Sequence, residues 1–289
     1  MASRQQIKRR IGSVKNTRQI TKAMQLVAAS KLRRAQEAVQ KPRAYADLAR
    51  GILTRLRQIA ADESELKLFT ERPIKHRLLI VITSDLGLAG AYDANVLRTL
   101  INEAKADRDN GAKTSVIAIG RKAAQSVSRI AGLETEAVYT KMPDKPSADE
   151  LRPILNSVVN SFAEGNIDAV DVIFTKFISS VNSQVQRQRL LPAGFEEAEL
   201  DDEMARADVE PSAAALLRAA SLRLLEAQIY QAFLESAASE HSMRMLAMKN
   251  ATDNASDLIE DLTLEYNNAR QAAITQELAE ITGGAEALK

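Results

Sequence analysis

The residues best placed for chemistry lie in one loop, Thr83-Ser84-Asp85-Leu86-Gly87-Leu88-Ala89-Gly90. It follows the apolar run Leu78–Ile82 and precedes a helical stretch. A glycine-rich turn from strand into helix can hold a phosphate on the free N–H groups of the helix start, which makes Gly87 and Gly90 candidates for that task. The spacing is neither GxGxxG nor GxxxxGK[ST]. The plainer reading of the glycines, and of Gly120 after the next strand, is a tight crossover. Asp85 stands at the C-terminal end of a strand, where α/β enzymes place catalytic acids. No histidine, lysine or second carboxylate lies near it in sequence, and a lone carboxylate there reads as a helix cap. Asp168 and Asp171, at a later strand start, read as solvated. The chain has no Cys, which removes disulfides, thiolate-bound zinc and thiol catalysis. Its two histidines, His76 and His241, are far apart. No metal and no cofactor are expected.

The elements around that loop alternate. Short β-branched runs at 78–82, 115–119 and 169–174 read as buried strands, with a weaker strand at 135–139 and an edge strand from Gln184 to Leu191. Helices are expected at 91–109, 121–130 and 147–164. That alternation predicts a doubly wound, Rossmann-like α/β domain over residues 75–195.

The flanks have a different texture. From Ser212 to Thr282 there is neither Pro nor Gly. One helix of that length would run ~105 Å, beyond the ~50 Å width of a compact body of this mass. Steps of four and three from Ala213 reach Leu217, Ala220, Leu224, Leu234, Ala238, Met245, Met248, Ala255, Ile259, Leu262, Tyr266, Ala269 and Ala273. Only Gln231, His241 and Thr252 break the apolar seam, so the segment reads as half of a coiled coil, with His241 packed within it and Gly283-Gly284 as its stop. Its partner is the N-terminal segment. There Ser3 and Gln6 form a capping box, and Ile7, Ile11, Val14, Thr21, Met24, Ala28, Leu32, Ala35 and Val39 recur at helical spacing until Pro42 interrupts. The fold class is therefore α/β plus coiled coil: long antiparallel N- and C-terminal helices (1–60 and 210–286) flanking an inserted α/β domain.

Charge is distributed to match. The formal net charge is +1, yet residues 1–60 hold 15 basic and 2 acidic side chains, while residues 196–289 hold 7 basic and 19 acidic ones. Opposite ends invite pairing, although each exposed pair contributes only ~0–1 kcal/mol. The first 34 residues carry ten Lys/Arg and no acid, a composition shared by transit peptides and nucleic-acid arms. The unbroken helical pattern from Ser3 speaks against a transit peptide, and the lack of interleaved aromatics against nucleic acid. Acidic protein surfaces are the expected neighbours. No apolar run is long enough to span a membrane.

Both ends also carry a family pattern. Ile11-Gly12-Ser13-Val14-Lys15-Asn16-Thr17-Arg18-Gln19-Ile20-Thr21-Lys22-Ala23-Met24, the stretch Glu240–Asn254, and Leu262-Thr263-Leu264-Glu265-Tyr266-Asn267-Asn268-Ala269-Arg270-Gln271-Ala272-Ala273-Ile274-Thr275-Gln276-Glu277-Leu278 resemble the γ subunit of F-type ATP synthase over the whole chain. The loop at 83–90 resembles the family's T-S-D-R-G-L-C-G, with Leu86 and Ala89 where the family has Arg and Cys; with no Cys anywhere in the chain, the thiol switch known in chloroplast members is absent.

The resemblance implies a non-catalytic rotor. Its coiled coil turns inside a hexamer of α and β subunits, and its foot rests with the ε subunit on the membrane c ring. Proton flow would drive it, and ATP chemistry would stay on β. It implies partner contacts at Lys22 and Met24 (the acidic lever of β), Arg270 and Gln271 (a β catch loop) and Glu210 (the c ring). It also implies a peripheral protein at the cytoplasmic face of a bacterial inner membrane, with an organelle membrane as the other setting. The residues alone leave two other readings open: a nucleotide-binding α/β enzyme with coiled-coil dimerisation arms, and a coiled-coil nucleic-acid binder.

Overall fold

The computed structural model describes residues 4–59, 67–130, 132–193 and 213–287. Helix α1 (Arg4–Ile59) is followed by a 3-10 turn (Lys67–Phe69), β1 (His76–Ile82), α2 (Tyr92–Asp109), β2 (Lys113–Ile119), α3 (Arg121–Val127), β3 (Glu134–Tyr139), α4 (Ala148–Ala163), β4 (Ala169–Ser179), β5 (Asn182–Leu191) and α5 (Ala213–Ala287). The chain divides into two units, Met1–Ala28 with Arg244–Lys289, and Ala29–Met243.

The larger unit is built on a five-stranded sheet in the order β3-β2-β1-β4-β5. β1 pairs in parallel with β2 and β4, and β2 with β3. β5 returns antiparallel along β4 from Ser179↔Asn182 to Val170↔Leu191. Successive residues of the central strands face opposite ways. Leu78, Ile80, Ile82, Ile117 and Val172 pack with Ile154, Val158 and Phe162 of α4 and with Leu225, Ile229 and Phe233 of α5. Leu79, Val81, Val116, Ala118 and Ile173 pack with Val96 and Leu100 of α2 and Val127 of α3. Helices on both faces are the reason these strands read as continuous apolar runs, and they make the domain doubly wound.

In this unit the stretch of α5 from Ser221 to Ser242 is buried over most of its circumference. In the smaller unit the burial narrows to one line. Met248, Ala255, Ile259 and Leu262 of α5 are buried, as are Ile7, Thr21 and Ala28 of α1. Thr252 Oγ1 donates to Thr21 Oγ1 at 2.8 Å. Beyond Leu262 no residue of α5 through Thr282 is buried, so the apolar seam expected as far as Ala273 is enclosed only to Leu262.

Two expected breaks are not breaks. Helix α1 runs through Pro42 to Ile59, and α5 runs through Gly283 and Gly284 to Ala287. An interior proline costs about 3 kcal/mol and a glycine about 1 kcal/mol relative to alanine. A helix already nucleated alongside each position propagates past it. The capping box at Ser3 and the residue Glu210 lie outside the described residues.

Candidate functional site

At the carboxyl ends of the parallel strands, the loop after β1 forms the crevice where a doubly wound sheet takes a ligand. Thr83 continues the sheet: its N–H donates to the Ile119 carbonyl at 2.8 Å, and its Oγ1 accepts the Ala123 N–H at 2.8 Å. Gly120 sits against it with φ +94°, and a β-carbon there would lie 2.2 Å from the Thr83 carbonyl oxygen. Glycine is obligatory at this crossing. Ser84 donates its N–H and its hydroxyl to Asp93, in the first turn of α2, at 2.9 and 2.8 Å.

Asp85 bridges two loops beyond the ends of neighbouring strands. Its Oδ1 accepts the Arg121 N–H at the start of α3 at 3.0 Å, and its Oδ2 accepts the Lys141 N–H after β3 at 2.7 Å. The carboxylate thus satisfies backbone donors from two loops and clips them together. Gly90 takes φ 60° and Leu88 φ 65°, which turns the side chains of Leu86 and Leu88 outward, both more than 60% exposed. The crevice holds no nucleophile–base pair. A separate cleft between the end of α2 and the starts of β2 and β3, lined by Arg108, Lys113, Gly132 and Glu134 among others, opens at the opposite edge of the sheet. Among the described residues there is no cluster of three metal-ligating side chains.

Asp171 is not solvated, contrary to expectation, and Asp168 is turned largely inward, its side chain 16% exposed. Asp168 Oδ2 accepts the N–H groups of Lys75 and His76, both at 2.9 Å. Burial works against its charge, and these two bonds together with Arg72 and His76 outweigh it, holding the carboxyl below its usual value. Asp171 is 0% exposed within an ionic cluster. Arg77 of β1 reaches Asp171 at 3.1 Å, Asp107 of α2 at 2.7 Å and Glu103 at 2.9 Å. Arg189 of β5 closes on Asp171, and Thr114 donates to Asp107 at 2.7 Å. Burial disfavours the Arg77 charge, but its bond to Asp107 and the neighbouring carboxylates raise its pKa above the ordinary value. A charge this deep survives only when it is paired. Arg77 was invisible in the sequence, because its partners are 26 to 94 residues away.

A second cluster ties three segments. Asp144, in the loop after β3, is approached at 3.0 Å by Lys31 Nζ of α1 and at 3.1 Å by His241 Nε2 of α5. His241 first, then Lys31, hold the Asp144 carboxyl well below the usual carboxylate range against the opposing effect of burial. His241 is packed, as the seam implied.

The residues singled out for partner contact are dispersed on the helices. Lys22 is exposed, with Nζ 3.3 Å from Gln25 Oε1, and Met24 is half-buried. Arg270 and Gln271 are exposed. The attraction expected between the oppositely charged ends is not expressed as ion pairs among the described charges of the smaller unit. Among the described residues neither the α1 cations Lys8, Arg9, Arg10, Lys15, Arg18 and Lys22 nor the α5 acids Asp253, Asp257, Glu260, Asp261 and Glu265 make an ion pair. Small seam residues bring the backbones together while the charges radiate outward into water, where pairing gains little. Apolar side chains radiate likewise: Ile20, Leu26, Val27, Leu264, Leu278 and Ile281 are all more than half exposed. No described helix is long and apolar enough to cross a membrane.

Comparison with known proteins adds three likenesses and a family. The family model described as ATP synthase matches residues 3–288. The ATP synthase gamma chain of Stenotrophomonas maltophilia (strain R551-3) is 40% identical over 288 residues, covering 100% of both chains. A chain in the central stalk and c-ring structure of the Tetrahymena thermophila mitochondrial ATP synthase superposes with TM-score 0.60 at 25% identity, covering 80% of this chain and 99% of that one. A chain of the Euglena gracilis mitochondrial ATP synthase superposes with TM-score 0.67 at 18% identity, covering 98% and 93%.

Proposed function

The chain belongs to the ATP synthase γ-chain family, and on that footing we propose that it is the shaft through which rotation of a membrane c ring drives conformational change at catalytic β subunits. It is a structural rotor subunit of the central stalk and not itself the catalyst. In this reading α1 and α5 wind as an antiparallel coiled coil, residues 1–60 and 210–286 form the shaft, and residues 75–195 form the domain at its side. The neighbours are the α and β subunits, the ε subunit and the c ring, and the driving ion is the proton. The protein is peripheral to a bacterial inner membrane. Lys22 and Met24 face an acidic lever of β, Arg270 and Gln271 meet a β loop, and Glu210 meets the ring.

One observation carries the reading. In the smaller unit a single line of side chains is buried, and among the described residues around it the α1 cations and α5 acids named above form no ion pair while large aliphatics such as Ile20, Leu264 and Leu278 stay exposed. Unspent charge and unspent apolar area on bare helices are what a shaft needs if its partners supply the rest of its contacts. Unlike helices also give it an asymmetric section, so that rotation presents each neighbour with a changing surface.

The occupied crevice argues against the nucleotide-binding alternative, because Asp85 already takes the backbone donors a phosphate would need. The deciding experiment is reconstitution with α and β subunits. We expect a stable α3β3γ assembly whose ATP-driven rotation requires this chain, with Arg270→Ala lowering the coupling of hydrolysis to rotation while ATP binding to β is unchanged. An isolated chain that binds ATP, or an assembly that rotates equally well with Arg270 and Gln271 both replaced by alanine, would overturn the corresponding part of the reading.

A further inference from the structure

Along α5 the hydroxyl side chains change partners at one point. Thr252, Ser256, Thr263 and Thr282 donate to the carbonyls of Met248, Thr252, Ile259 and Leu278, four residues back on their own helix, at 2.6–3.1 Å. That is the ordinary resort of a hydroxyl inside a helix. Ser236, Ser239 and Ser242 turn outward instead. Ser236 Oγ lies 2.6 Å from Tyr92 Oη at the start of α2. Ser239 Oγ donates to the Thr175 carbonyl of β4 at 3.0 Å, and Ser242 Oγ to the Ser180 carbonyl in the β4–β5 turn at 2.5 Å. The three serines are at most 3% exposed. Residues three apart are neighbours on a helix surface, so these hydroxyls run up one side of α5. All six groups lie within the larger unit.

The sheet explains what they meet. β1 pairs with β4 only from Arg77↔Ala169 to Val81↔Ile173, while β4 runs on to Ser179. From Thr175 onward β4 has β5 along one edge and, among the described residues, no strand along the other. A strand edge left open presents backbone groups that need partners. α5 meets this overhang, and Ser239 gives the Thr175 carbonyl a proton that no strand brings. Alanine would be the better helix former at each of the three positions, and it would withdraw that proton.

We propose that Ser236, Ser239 and Ser242 are positioning residues, a three-point seat that fixes the depth and the rotation at which α5 lies against the α/β domain. Leu225, Ile229 and Phe233 supply the apolar packing of the same helix on the sheet. Apolar attraction is non-directional, whereas hydrogen bonds constrain angle as well as distance. His241, between Ser239 and Ser242, adds its approach to Asp144 at 3.1 Å. The mechanical purpose of the seat rests on the rotor reading above: a helix that passes torque must hold one angle to the body that turns it. The seat itself stands on the hydrogen bonds alone.

The test has two arms. In the full chain, amide exchange is read segment by segment. Ser239→Ala should raise exchange about tenfold in residues 174–179 and 232–242, the loss of one buried bond, and leave β2 and β3 as in the parent. Thr175→Val removes a buried hydroxyl that has no hydrogen-bond partner among the described residues; it keeps the carbonyl and should leave both segments protected. In the α3β3γ assembly, with a bead on the α/β domain, the triple Ser236→Ala, Ser239→Ala, Ser242→Ala variant should hydrolyse ATP at the parent rate while the angular spread about each dwell widens. Exchange in Ser239→Ala that is unchanged at the seat, or raised equally through every strand as a general loss of stability would do, overturns the seat. Loosened exchange with an unwidened spread overturns its mechanical role. A parent assembly that does not rotate strikes the rotor reading and that role together, and leaves the exchange pattern to decide the seat.

Discussion

The two units of this chain use side chains in opposite ways. Around the sheet, polar and apolar groups alike are consumed internally: Arg77, Asp107 and Asp171 complete one another, and both faces of β1 are covered. Among the described residues of the unit formed by the first 28 residues and those after Met243, a single buried line is the core, and most other side chains are exposed or half-exposed. The difference teaches where to expect stability and where to expect function. Substitutions around the sheet should act on folding, and those on the bare helices should act on assemblies.

The sharpest way to break that contrast is at Gly120. Gly120→Ala sets a methyl 2.2 Å from a carbonyl oxygen at a φ that side chains avoid. It should cost about 3–5 kcal/mol, read as a shifted urea midpoint, or should prevent folding. Asp171→Asn leaves Arg77 and Arg189 facing a neutral amide at a fully buried position and should cost about 3 kcal/mol in the same assay. Thr252→Ala, which removes the one hydroxyl pair on the buried line, should cost about 1 kcal/mol.

Asp144→Asn sharpens the comparison through pH. The Asp144 carboxyl is held down by His241 and Lys31, so its contribution is fully present above about pH 4 and fades as pH falls through its lowered value. Acid unfolding of parent and variant should therefore differ near neutrality and converge in strong acid. The gap should be no more than about 1 kcal/mol, because the carboxylate is 46% exposed. The smallest effect on folding, within about 0.5 kcal/mol, belongs to Leu264→Ala on the bare end of α5; there the change should appear instead in the rotation rate of the reconstituted assembly.

Legibility followed the same division. The sheet was readable because strands buried on both faces must be largely apolar and rich in Val, Ile and Leu; Leu78–Ile82 is such a run, and Val170–Phe174 is one interrupted only by Asp171. The helices were readable from their four-and-three spacing. Asp171 was misread because a strand aspartate looks the same whether it meets water or a buried guanidinium, and its partners Arg77 and Arg189 come from other strands. Pro42 and the Gly283-Gly284 pair were misread because breaker residues act on helix nucleation, while these helices are carried past them by their neighbours. The expected ion pairs between the ends rested on net charge, which records how many charges a segment has but not which way they point.

One carboxylate has a wider consequence. A motor subunit of this family works in a solution crowded with adenine nucleotides, and a doubly wound sheet is an architecture from which nucleotide pockets are commonly made. With Asp85 bonded to the backbone N–H groups of Arg121 and Lys141, those two donors at the strand ends are already engaged, and a moving part so built offers little purchase to the fuel its neighbours burn.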